Sequence, residues 1–270
     1  MAGNALEEYA INVETFGTGA RKVVALHCSL GRAAGWAQIA TPMGDQITLF
    51  APDWPSHGKS GPWTETGPMR EAAVAITGNV VGDGPVDLIG HSFGAIIALD
   101  YATRHPEKVK TLTVIEPIFM AIAGEDDRPL LDAYLKDMEP HFSALAEGRN
   151  EDAAKEFIRM WGGGADWDKM PEPVKAGMIR QIPIVDACKP GDENSPEERR
   201  VLDALCKLTM PVKIIYGGST LHIVSLAMKG LAARLPNAEM VEVPKAGHML
   251  PLTHPQVVIE ELQKLWKAYP

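Results

Sequence analysis

The sequence predicts an α/β fold: a mostly parallel central sheet flanked by helices, interrupted by an inserted, all-helical segment. Three observations predict it. Short apolar runs alternate with helix-length segments through most of the chain. That alternation stops between about residues 120 and 208, where only helical periodicity remains. Finally, 270 residues with 46% hydrophobic content fit one compact domain carrying a large insertion.

In chain order, residues 9–16 are expected to add one or two antiparallel strands at a sheet edge. Clear strands follow at 22–27, 46–51, 86–89, 111–115, 212–216 and 240–243. Each is too short for a helix, and several end on Gly, Pro or Asp. Within the insert, Leu131, Leu135, Met138, Phe142 and Leu145 fall on one face of a first helix. A second helix starts near Asn150, an N-cap candidate, and stops after Trp161 at Gly162, Gly163 and Gly164. A third follows Pro171, and a fourth opens at Ser195-Pro196-Glu197-Glu198, which reads as a capping box with proline at the first helical position. The core is therefore assigned to residues 1–118 and 209–270, and the insert to residues 119–208.

Composition narrows the function. A formal charge of −9 and no basic run argue against a nucleic-acid partner. The first eight residues lack the charged and apolar regions of a signal peptide. No apolar stretch approaches the roughly 18 residues of a membrane-spanning helix. Cys28, Cys188 and Cys206 are too few and too scattered for a disulfide framework or a zinc site. A cytoplasmic protein with a small-molecule substrate, no membrane partner, and no metal or cofactor is the expectation. Neither a dinucleotide-type nor a P-loop glycine pattern occurs. The sequence leaves self-association as a homodimer open.

The chemistry centres on Gly90-His91-Ser92-Phe93-Gly94. This GxSxG pattern follows the strand at 86–89 and precedes a helix at 95–104, so the serine should sit on a strained strand-to-helix turn. A serine hydroxyl needs a base to become a nucleophile. Of eight histidines, His248 is best placed, in a loop just after the last strand and preceded by Gly247. His254 precedes Pro255 at the start of the final helix and reads as a capping residue; His105 also precedes a proline. An oxyanion hole needs two backbone N–H donors. Phe93, after the nucleophile, supplies one, and Ser29, after the first core strand, is assigned the other. His27 is expected to brace that loop.

Taken together, the His27 loop, Ala51-Pro52-Asp53, Ser56-His57-Gly58-Lys59-Ser60, the elbow at Ser92 and Gly247-His248 resemble the α/β-hydrolase superfamily over nearly the whole core. The resemblance implies that the helical insert caps the active site, and that Asp53 and the loop after it are structural. Ser rather than Asp at the elbow argues against dehalogenase or epoxide-hydrolase chemistry.

Two positions depart from the family pattern. Cys28 stands where the family usually has Gly after the oxyanion-loop histidine, and reads as a small buried filler. The second departure is the acid. The family usually places an Asp after the strand equivalent to 212–216, whereas here the turn reads Gly217-Gly218-Ser219-Thr220, with no carboxylate from Gly217 through Pro236. Thr220 can accept a hydrogen bond but cannot offset a histidinium charge. Glu116, at the end of the strand beside the nucleophile strand, is the candidate, because adjacent strand ends lie about 4.8 Å apart.

These residues imply a serine hydrolase with Ser92, His248 and Glu116 as its triad, acting on a small-to-medium carboxylic ester, lactone or thioester through an acyl-enzyme. The alternatives are hydrolytic C–C cleavage of a diketone by the same triad, or a relative that binds a ligand without turnover. Phe142, Met160, Trp161 and Trp167 of the insert are candidates for lining an apolar acyl pocket, with most of them expected to be core between insert and sheet.

Overall fold

The computed structural model describes residues 4–64, 68–188 and 194–270; the first three residues of the N-terminal stretch considered above lie outside it. Seven strands form one sheet: β1 (Val13–Phe16), β2 (Arg21–Leu26), β3 (Ile47–Pro52), β4 (Val86–His91), β5 (Val109–Ile115), β6 (Val212–Gly217) and β7 (Ala238–Val243). Their spatial order is β1-β3-β2-β4-β5-β6-β7. Only β1 runs antiparallel, so residues 9–16 give one edge strand, not two. Every residue of β4 and β6 is buried, which suits parallel strands covered on both faces. The strand at 86–89 continues to His91, which places that side chain inside the fold.

Alternation along the strands separates two cores. Val24, Leu26, Leu88, Val114 and Ile214 pack under the helices Arg70–Val81, Phe93–Arg104 and His222–Arg234. Val23, Ala25, Ile89, Ile115 and Ile215 face the opposite side, with the Pro255–Ala268 helix.

Between β5 and β6 the chain is helical, with Arg128–Ala146, Asn150–Trp161, Glu172–Gln181 and Pro196–Ala204 as its longest elements. This segment has a small core of its own, including Ala144, Ala153, Ile158, Trp167, Ile182 and Val185. Three local readings change. Leu135 is 39% exposed, because Tyr134 and His141 fill the buried face beside Leu131 and Met138. Asn150 is the first helical residue, with Arg149 at the N-cap position making no side-chain cap. At the fourth helix, Ser195 Oγ accepts from the Glu198 N–H at 3.2 Å. The Glu198 carboxylate does not reach back, however; it turns inward to Arg70 Nη1 at 2.7 Å, and Arg70 Nε binds Asp100 at 2.7 Å. Half of the capping box is thus given up for a buried ionic link between the insert and the helix that follows Ser92.

The register sets up the site. His91 pairs with Ile115, Ile115 with Ile215, and Gly217 with Val243, so β4 to β7 end at one level. Residues just beyond these carboxyl ends line the crevice where ligands bind in parallel sheets. Ser92, Glu116, Thr220 and His248 are those residues.

Candidate active site

Ser92 sits between β4 and its helix at φ 53°, ψ −116°, a conformation costing a non-glycine residue about 1–3 kcal/mol. Its neighbours hold it there. A Cβ on Gly90 would lie 2.3 Å from Gly94 O, and one on Gly94 would lie 2.2 Å from Leu26 O. Both positions must therefore be glycine for the helix to pack this tightly against β4 and β2. The Ser92 N–H donates to Ile115 O at 2.9 Å, fastening the elbow to the neighbouring strand.

The structure brings Ser92, His248 and Glu116 together. Ser92 Oγ lies 3.0 Å from His248 Nε2, and His248 Nδ1 lies 3.1 Å from Glu116 Oε2. Because a carboxylate only accepts, Nδ1 carries the proton and Nε2 presents its lone pair to the serine hydroxyl. The His248 ring has Trp161 of the insert 4.7 Å away, centroid to centroid, and its backbone carbonyl accepts from His91 Nε2 at 2.8 Å. His254, the rival histidine, instead contacts Thr253 Oγ1 at 2.8 Å and makes no side-chain cap.

Glu116 is fully buried and also sits at a positive φ, 55°. Its carboxylate receives three donors: the Gly217 N–H on Oε1 at 2.6 Å, and the Thr220 hydroxyl at 2.5 Å together with His248 on Oε2. This corrects the reading of Thr220. Its hydroxyl does not accept from the histidine; it donates to the glutamate. The turn without a carboxylate therefore holds one that arrives from the adjacent strand.

The loop assigned to the oxyanion hole is braced by neutral histidines. His27 Nδ1 donates to Cys28 O at 2.8 Å, while Nε2 accepts from the Trp54 N–H at 3.1 Å. His57 Nε2 accepts from the Leu30 N–H at 3.1 Å, and its Nδ1 donates to Pro55 O at 2.8 Å. Asp53 accepts from the N–H groups of Ala33 and Lys59 at 2.6 and 3.0 Å. Among the described residues, the N–H groups of Ser29 and Phe93 have no protein partner. Cys28 is buried, and burial pushes its thiol up to about 12, so it stays protonated beside the serine.

Burial pushes His27 and His91 down to about 3, and it also lowers His57 and His141. The folded state therefore keeps these rings neutral, whereas the unfolded chain takes up their protons below about pH 6.5. Stability is full above that pH and falls on acidification, by about 2 kcal/mol per strongly shifted histidine between pH 6.5 and 5. Glu198, whose carboxyl burial raises to about 7, acts in the opposite sense but is outnumbered. The urea midpoint of unfolding is expected to drop clearly between pH 7.5 and 5. A flat profile over that window would show that these rings are already solvated in the fold.

A cavity of about 790 Å³ opens onto Ser92 and His248. Its wall includes Ser29 and Phe93 from the core, and Tyr134, Met138, Phe142, Phe157, Trp161 and Met178 from the insert. Of the candidate pocket residues, Phe142 and Trp161 line it, whereas Met160 packs against the main hydrophobic core and Trp167 lies in the insert's own core. The other insert residues of the wall were missed because their periodicity does not distinguish a cavity face from a core face. Among the described residues, no helix is long and apolar enough to cross a membrane, and no cluster of His, Cys, Asp and Glu is arranged to hold a metal ion.

Comparison with known proteins adds relatives to this geometry. The alpha/beta hydrolase family is matched over residues 23–261. Lipase LipV of Mycobacterium tuberculosis is 31% identical over 147 residues, 53% of this chain. A pimeloyl-[acyl-carrier protein] methyl ester esterase of Neisseria meningitidis serogroup A is 27% identical over 218 residues, 76% of this chain. The matched stretches make up 54% and 64% of those two proteins' own lengths. In fold, the chain is similar to an alpha/beta hydrolase from Sphaerobacter thermophilus, with a TM-score of 0.72 and 24% identity, covering 95% of this chain and 96% of that one.

Proposed function

The chain belongs to the alpha/beta hydrolase family, and from that premise we propose that it is a serine hydrolase of small-to-medium carboxylic esters, lactones or thioesters. The observation that carries this reading is the unbroken hydrogen-bonded chain from Ser92 through His248 to Glu116, opening onto a largely apolar cavity. The relatives named a lipase and a methyl ester esterase support cleavage of an ester bond. The cavity volume suits a substrate of modest size.

In this mechanism Ser92 Oγ attacks the acyl carbonyl as His248 Nε2 takes its proton. Glu116 holds the ring in the productive tautomer and offsets the imidazolium charge. The N–H groups of Ser29 and Phe93 donate to the developing oxyanion. His248 then protonates the departing alcohol or thiol, and water, activated by the same histidine, releases the acyl group. The helical insert acts as a cap, with Trp161 shielding His248 from bulk water.

A fluorophosphonate probe tests the nucleophile. Intact-mass measurement should find one phosphonyl adduct per wild-type chain and none on Ser92→Ala. An adduct that persists on the alanine variant would move the nucleophile elsewhere.

A further inference from the structure

One ionised side chain stands out at the cavity. Among the described residues lining it, Arg32 alone is an Asp, Glu, Lys or Arg. It is exposed and follows directly on the Cys28–Gly31 loop that carries Ser29. Its side chain makes no hydrogen bond or ion pair among the described residues. That is unusual in this chain. Arg21, Arg70, Arg104, Arg128, Arg149, Arg159, Arg199, Arg200 and Arg234 are each paired with a carboxylate, leaving only Arg32 and Arg180 unpaired among the described residues. On a chain with net charge −9, an arginine with no carboxylate partner among the described residues, at the mouth of an active-site cavity, is a ready anion contact.

Two groups of lining residues differ in exposure. Met138, Phe142, Phe157, Met170 and Met178 are buried or half-buried and offer an adaptable apolar wall. Arg32, Ala34, Gln38, Ala165 and Leu252 are exposed and mark the side open to water. An acyl chain gains from the first group, whereas an anion belongs at the second, where it remains hydrated.

Building on the serine-hydrolase reading, we propose that the substrate pairs an apolar acyl group with a leaving alcohol or thiol bearing an anionic oxygen group, carboxylate or phosphate, which Arg32 binds at the cavity mouth. The guanidinium acts on binding, away from the reacting atoms, so its effect falls on KM and leaves kcat nearly unchanged. Because the site is exposed, the contact is screened by salt.

The test uses three octanoyl esters with a common ring: of 4-hydroxybenzamide, of 4-hydroxybenzoate and of 4-hydroxyphenyl phosphate. For each, kcat/KM is measured on wild type, Arg32→Gln, Arg32→Lys and Arg180→Gln. Dividing wild-type by variant values cancels the intrinsic reactivity of each leaving group. Arg32→Gln should lower kcat/KM for at least one anionic ester about five- to tenfold while leaving the amide ester within twofold. The ester affected more identifies carboxylate or phosphate as the better fit. Arg32→Lys should keep part of the advantage, Arg180→Gln all of it, and 0.5 M salt should remove most of it. Equal losses on all three esters, or none, would overturn the assignment of Arg32 while leaving Ser92-dependent hydrolysis of the amide ester standing. If wild type and Ser92→Ala hydrolyse all three esters equally slowly, the serine-hydrolase reading itself fails, and this proposal with it.

Discussion

His248→Ala is expected to lower kcat by about a million-fold, the scale seen when the triad histidine is removed from a well-studied serine protease. The reason lies in one contact. The Ser92 hydroxyl has His248 Nε2 at 3.0 Å, and without it no base stands ready to take the proton during attack. The same ring must later protonate the leaving group, so both halves of the reaction lose their catalyst. KM should change little, because the alanine removes transition-state stabilisation more than substrate contact. The fold should survive, since the His248 backbone carbonyl still accepts from His91 and circular dichroism should match wild type. His254→Ala, as a control, should retain wild-type kcat. Should His254→Ala abolish turnover and His248→Ala leave it intact, the base has been misassigned.

The second large effect is expected at Glu116. Glutamine keeps the size of the side chain but presents an amide in place of one carboxylate oxygen. Gly217 N–H fixes one side-chain position as an acceptor, which directs the new NH2 toward Thr220 and His248. A donor facing Nδ1 forces the histidine into the tautomer with its proton on Nε2, where it cannot accept from Ser92. The imidazolium also loses its counter-charge in a buried site. In the protease precedent, the comparable change costs about four decades of kcat. Here Glu116→Gln should cost at least two decades in kcat, about 3 kcal/mol of transition-state stabilisation, with little change in KM.

How much of this was legible in the sequence follows from what each signal depends on. The elbow was legible because GxSxG between a strand and a helix is a local pattern with a steric cause, seen here in the close approach of Gly90 and Gly94 to neighbouring backbone. Glu116 was legible through the family resemblance, which implies an acid in a turn that here has no carboxylate and so directs attention to the glutamate at the end of the adjacent strand. What the turn does instead was not legible. Whether Thr220 donates or accepts depends on which partner the folded loop meets, and it meets Glu116 at 2.5 Å. Nothing in the motif marks His91; its hydrogen bond to the His248 carbonyl forms only where β4 and the last loop come together.

The helical insert was the least legible part, for a related reason. An amphipathic stripe shows that a helix has a buried side, but not whether that side faces packed protein or a cavity. Met160 and Trp161 are adjacent in sequence and both large, yet Met160 packs on the core while Trp161 reaches His248. Leu135 and Glu198 show the same limit, since each answers to tertiary partners that no local pattern records.

In the proposed mechanism a buried glutamate, delivered by β5 and held by the turn after β6, acts as the acid for His248. The most direct measurement compares kcat of Glu116→Gln and Thr220→Val in one ester assay. Thr220→Val removes one donor from Oε2 but leaves the charge and the Gly217 contact in place, so it should lose less than one decade, against at least two for Glu116→Gln. Near-wild-type turnover by Glu116→Gln would exclude Glu116 as the triad acid, because His248 would then be working without the carboxylate beside it.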